Sequence, residues 1–117
     1  MKDFKKLLVW QKSMDLVENV FQIVEKMEMS EKISLGSQLS RSAVSIPSNI
    51  AEGAGRSSDK EFSRFLDIAL GSAFELETQL LILKRTNPDL ADIQPSLLED
   101  TTEIQKMLSG LKRSTNS

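Results

Sequence analysis

SRSAVSIPSNIAEGAGR, running from Ser40 to Arg56, is the stretch on which the fold turns. Ala43, Ile46, Ile50 and Ala54 recur every three or four positions. With Leu35 and Leu39 upstream they carry a helical stripe straight through Pro47. An internal proline removes one backbone hydrogen bond and bends the rod. Because the period is unbroken beyond it, the spacing predicts one helix from near Ser34, kinked at Pro47, rather than two helices. Ser37, Ser40, Ser45, Ser48 and Asn49 flank the stripe, and serines there can bond carbonyls of the preceding turn and offset the distortion. Gly53 and Gly55 predict where the helix ends.

Downstream, Ser58-Asp59-Lys60-Glu61 has the form of a capping box. It opens a long stripe of Phe62, Phe65, Leu66, Ala69, Ala73, Leu76, Leu80 and Leu83, widened by Leu70, Phe74 and Leu81. This helix is expected to end at about Lys84 or Arg85, before Asn87-Pro88. Upstream, Leu7 to Met27 carries two adjacent stripes: Trp10, Met14, Val17, Phe21 and Val24, and beside them Leu16, Val20, Ile23 and Met27. A doubled stripe is broader than one packed partner requires, so this helix should touch two neighbours. Leu97, Thr101, Ile104, Leu108 and Leu111 form the last stripe, with Pro95 expected in its first turn and fraying beyond about residue 112. No strand alternation, repeat or long linker interrupts the series. The expected fold is all-α, an antiparallel up-and-down four-helix bundle: one domain over residues 1–113 and a frayed polar tail at 114–117.

Composition narrows the chemistry. The 117 residues are 39% hydrophobic and 27% charged, as in an ordinary globular domain with a modest core. There is no cysteine and no histidine, which excludes disulfides, Cys/His zinc sites, thiolate nucleophiles and imidazole acid–base catalysis. No apolar run reaches the ~20 residues of a membrane span, and the N-terminus has no signal-like segment; the expected location is cytoplasmic, with no membrane partner. A formal net charge of -2 argues against a strongly basic nucleic-acid binder. It leaves room for a local basic patch.

Each candidate site also has a plainer reading. Asp67, Glu75 and Glu77, with Glu52, are the acidic set for a carboxylate metal site. Such sites use Glu-x-x-His pairs that this chain lacks, and Glu75 and Glu77 do not share a helix face. No metal or cofactor is expected. Gly53-Ala54-Gly55 lacks the spacing and the Lys-Ser/Thr pair of a phosphate loop. The abundant serines have no activating base in a credible pocket, so no enzymatic activity is expected. Arg56, Lys60 and Arg64, with Arg41, form a candidate nucleic-acid patch. Asn49 and Glu52, three apart on one face, are candidates for fixing helix or subunit register. Trp10 is expected to cover a bundle end or dock on a neighbouring subunit. Gly71 and Ser72 beside Ala73 are expected to permit close helix approach.

VWQKSMDL (Val9–Leu16), SQLSRSAVSIPSNIAEGAGR (Ser37–Arg56), EFSRFLDIALGSAFELETQL (Glu61–Leu80) and KMLSGLKR (Lys106–Arg113) resemble the four-helix-bundle proteins related to the protein encoded in intervening sequences of bacterial 23S ribosomal RNA genes. That family is often labelled S23 ribosomal protein. The resemblance spans nearly the whole chain and includes Gln38, Arg41, Ser45, Pro47, Asn49, Glu52, Gly53, Gly71, Ser72 and Glu75. It implies a ring-like homopentamer without established catalysis. A relative of this fold, the accessory protein of diversity-generating retroelements, forms a basic pentameric barrel that binds nucleic acid and a reverse transcriptase. This chain departs from the pattern in two places. The usual Phe-Pro before the second helix is replaced near Met27–Ser30, and a common basic pair is here Ser40-Arg41-Ser42.

Two functions follow as expectations. The preferred one is a non-enzymatic homo-oligomeric scaffold or adaptor, pentameric by resemblance, with an unidentified protein partner or RNA as its client. The alternative is direct RNA or DNA binding through Arg41, Arg56, Lys60 and Arg64.

Overall fold

The computed structural model describes residues 2–116. Four long helices enclose one core: α1 (Leu8–Glu25), α2 (Ser37–Ala54), α3 (Asp59–Thr86) and α4 (Leu97–Asn116). Among the described residues there is no strand. The inner stripe of α1 is core, with Leu16, Val20, Ile23 and Met27 all at most 5% exposed. Leu39, Ile46 and Ile50 of α2, Phe62, Leu66 and Leu76 of α3, and Leu97, Ile104 and Leu108 of α4 complete it. Stripes of this kind, more than intrinsic propensity, hold helices of this length in water.

Polar contacts mark the α2–α3 seam, the α3–α4 seam, and the flank of α1 that faces α4 and the turn before it. Ser42 meets Gln79 while Ser45 meets Ser72. Asp67 meets Lys112 while Glu77 meets Gln105. Lys12 meets Glu103 while Gln22 meets Gln94. The α2–α3 seam is the most extensive and the α1–α4 seam the thinnest.

Helix ends explain themselves locally. Ser58 Oγ accepts the Glu61 N–H at 3.2 Å, fulfilling half of the expected capping box. Asn87 does not merely terminate α3. Its Oδ1 accepts the Leu90 N–H and caps a short helix, Pro88–Ala91, that the Asn-Pro signal had suggested only as a stop. Pro95 lies in the turn before α4 rather than in its first helical turn. At the other end α4 continues to Asn116, a turn past the expected fray, with Ser114 Oγ bonded to the Leu111 carbonyl; Ser117 lies outside the described residues.

The approach to α2 differs most from expectation. Helical backbone starts at Met29, and Lys32–Gly36 forms a π turn before regular α-helix resumes at Ser37. Gly36 passes so near the end of α1 that a Cβ there would stand 3.0 Å from Met27 Sδ and 3.3 Å from Val24 Cγ1. The wider turn carries the chain past this contact while keeping Leu39 in the core. Pro47 is buried inside α2, and the helix runs on beyond it to Ala54.

Candidate assembly surface

The outer stripe of α1 does not enter the core. Trp10 and Val17 are half-buried, and Met14 and Phe21 are 40% and 47% exposed. Across from them α2 presents Val44, Pro47 and Ala51, at helical i, i+3, i+7 spacing. Together they line an almost wholly apolar groove, open to solvent. Phe4 is part of its lining, its ring edge-on to Trp10 with centroids 5.3 Å apart. Phe4 is held by a 3-10 turn that Asp3 caps through the Lys5 N–H. Covering the exposed half of Phe21 would yield half of the ~1.5–3 kcal/mol of a full burial. Contiguous apolar patches of this kind mark interaction surfaces.

Trp10 and Pro47 thus come together, as part of one surface. Val44 and Ala51 escaped the sequence reading. Their spacing with Pro47, parallel to the main α2 stripe, was the signal that could have revealed them. A second apolar exposure, on α3, comprises Ile68, Phe74, Leu81 and Ile82. Phe74 and Leu81, expected to widen the core stripe, lie outside it.

The opposite flank of α2 is closed. Ser42 Oγ, only 3% exposed as a residue, reaches Gln79 Oε1 at 2.9 Å and Glu75 Oε1 at 3.2 Å. Ser45 and Ser72 hydroxyls are 2.7 Å apart, and Asn49 Nδ2 donates to both the carbonyl and the hydroxyl of Ser45. Asn49, Ser72 and Glu75 therefore belong to one polar seam. Glu52 does not join it, since its carboxylate is exposed and pairs with Arg56 at 3.2 Å. Gly53 is the position of closest approach: a Cβ there would lie 2.6 Å from Phe65 Cβ. The sequence had assigned that glycine to the helix end and close approach to Gly71. Gly71 is exposed, and nothing comes within 4 Å of where its Cβ would be, so no helix of this protomer packs on it.

The candidate acids disperse. Asp67 pairs with Lys112, Glu52 with Arg56, Glu75 accepts from Ser42, and Glu77 accepts from Gln105. No group of acidic residues among the described residues is arranged to hold a metal ion.

Of the four candidate cations, three converge. The guanidinium carbons of Arg56 and Arg64 lie 4.8 and 4.9 Å from the Phe65 ring centroid, and Lys60 sits one turn before Arg64. Lys2 lies at the same end, over Phe62 and paired with Asp59. Phe62 and Phe65 are buried beneath these cations, so the corner presents charge rather than an aromatic face. Arg41 is elsewhere, about 20 Å up α2, beside the polar seam.

No helix among the described residues is long and apolar enough to cross a membrane. No curated protein matches the chain. Among solved structures, a protein of unknown function from the S23 ribosomal protein family of Bacteroides thetaiotaomicron is similar at 28% identity, with a TM-score of 0.79 over 90% of this chain and 98% of that one. The model of the 23S rRNA-intervening sequence protein family matches residues 5–110. With nearly the whole chain matched, this protein belongs to the 23S rRNA-intervening sequence protein family.

Proposed function

We propose that the chain is a non-enzymatic, self-associating scaffold: an antiparallel up-and-down bundle, bent at Pro47, that assembles through its outer apolar surface in the cytoplasm. The observation that carries this reading is the groove of Trp10, Met14, Val17, Phe21, Val44, Pro47 and Ala51, which the protomer builds and leaves uncovered. A homopentameric ring is the assembly that the family resemblance implies. Light scattering on the eluting protein tests it. The expected mass is five times that of the 13.1 kDa chain. A single-chain mass at high protein concentration overturns self-association.

A second reading, contact with RNA or DNA, is favoured by the Arg56–Phe65–Arg64 arrangement, which fixes two guanidiniums and brings Lys60 beside them. Arg41 plays no part in this version. Repeated around a ring, a modest patch gains avidity. The same light-scattering run with structured RNA should show added RNA mass that falls as salt rises. Binding unchanged after Arg56, Lys60 and Arg64 are replaced by alanine would remove this site.

A further inference from the structure

We infer that self-association is head-to-tail: the α1–α2 groove of one copy receives the Phe74–Leu81 ridge on α3 of the next. This rests on the self-association reading above and adds which two surfaces meet.

Three observations carry it. First, groove and ridge lie on opposite sides of the bundle. α1 packs on α2 and α4, α3 packs on the same two helices, and α1 and α3 face each other across the diagonal. Phe74, Glu77 and Leu81 form one i, i+3, i+7 stripe, and Glu77 accepts a hydrogen bond from Gln105 of α4 at 2.8 Å. The ridge thus borders the α3–α4 side, away from the α1–α2 side that holds the groove. Two separate apolar patches of one chain can satisfy each other only between copies.

Second, the two surfaces carry opposite charge at one end of each. Glu18 is placed between Met14 and Phe21 on the helix surface, and Glu25 follows Phe21 by one turn. Lys84 and Arg85 follow Leu81 by three and four residues. All four are exposed, and none forms an ion pair among the described residues. Acid thus borders the Phe21 end of the groove and base the Leu81 end of the ridge, while Lys5 lies over the Phe4 ring at the other end of the groove and Glu77 stands within the ridge stripe. A groove facing another groove would instead set Glu18, near the middle of the outer α1 stripe, against its own copy, as a two-fold contact requires the same patch on both partners.

Third, the ridge stands clear. Phe74 is 52% exposed, and Gly71, one turn before it on the same face, puts no side chain beside the ring. A head-to-tail contact of this type propagates until it closes, which gives a ring, or fails to close, which gives a filament.

Val44→Glu spoils the groove and Phe74→Glu spoils the ridge; circular dichroism checks that each variant stays helical. Alone, each should elute with the mass of one chain. Mixed in equal amounts they retain one intact groove and one intact ridge, and should form a heterodimer of twice the chain mass and nothing larger. If Phe74→Glu alone keeps the wild-type mass, groove meets groove and the inference fails. If Val44→Glu alone keeps it, ridge meets ridge and the inference fails equally. A mixture that stays at single-chain mass also overturns it. Phe21→Gln and Leu81→Gln form a milder pair if either glutamate variant loses its helicity. A wild-type protein of single-chain mass would instead sink the self-association reading itself, so the two failures are distinct.

Discussion

The two flanks of α2 follow opposite rules. Toward α3, the contact residues are small or polar: Gly53 admits Phe65 at backbone range, and Ser42, Ser45 and Asn49 are hydrogen-bonded across or along the seam. Toward α1, the outer residues are large and apolar, yet Val44, Met14 and Phe21 remain about half exposed. Bulk therefore does not report burial here. Small side chains let two backbones close and bond across the seam, while large ones hold the helices' outer edges apart and form a groove. The closed flank fixes the protomer. The open flank is available to something else.

The sharpest way to break that contrast is Gly53→Ala. The added Cβ would sit 2.6 Å from Phe65 Cβ and 3.1 Å from Phe62 Cδ1, and both rings belong to well-packed surroundings. Overpacking of this kind costs about 1–3 kcal/mol, more than alanine's better helix propensity returns. Gly55→Ala is the internal control, since its nearest neighbour is a carbonyl at 3.5 Å and its φ of -81° suits any residue. Urea midpoints for the two variants should separate clearly. Equal midpoints would mean that the α2–α3 seam yields without cost, and the contrast between flanks would collapse.

How much of this was readable from the sequence depends on what each residue had to reveal. The core was legible because period alone specifies it: Leu16, Val20 and Ile23, or Leu97, Ile104 and Leu108, are buried where their spacing puts them. The π turn at Lys32–Gly36 was not, since the four-residue step from Leu35 to Leu39 suits an ordinary α-helix. Glycines were the hardest. Gly53 in the last turn of α2 and Gly71 in the middle of α3 both lie within helices, and only the position of Phe65 distinguishes a contact from open space. For the candidate surface, the outer stripe of α1 was visible, but its exposure was not, because hydrophobic period does not tell a core from an interface. The patch of four cations failed at Arg41 for a simpler reason: helix rise separates it from Arg56, whatever their shared charge.

Gly71→Ala sharpens the comparison from the other side. Helix-interior glycine is worse than alanine by about 0.5–1 kcal/mol when nothing else contacts the site. With no atom within 4 Å of the new Cβ, the substitution should stabilise the protomer by that amount. The measurement belongs in the Val44→Glu background, where the protomer is expected to be alone. A lower urea midpoint there would restore the close approach that the sequence suggested.

The smallest effect concerns the third flank, where α1 meets α4. This seam is thin and its pairing is exposed: Lys12 reaches Glu103, and Asp15 and Asp100 stand near. The Glu103 hydrogen bond and charge raise the Lys12 pKa above its ordinary 10.5, with Asp100 and Asp15 adding to the effect. A group whose pKa is higher folded than unfolded contributes stability that is complete below the unfolded value and is lost as pH climbs through the folded one. Lys12→Met should therefore lower the melting temperature slightly at neutral pH, as expected for a solvent-screened pair. The gap to wild type should hold steady as pH rises and close only above 10.5. No gap at neutral pH would show that Lys12 acts through its apolar stem, which methionine retains, and a gap that closes well below 10.5 would contradict the raised pKa.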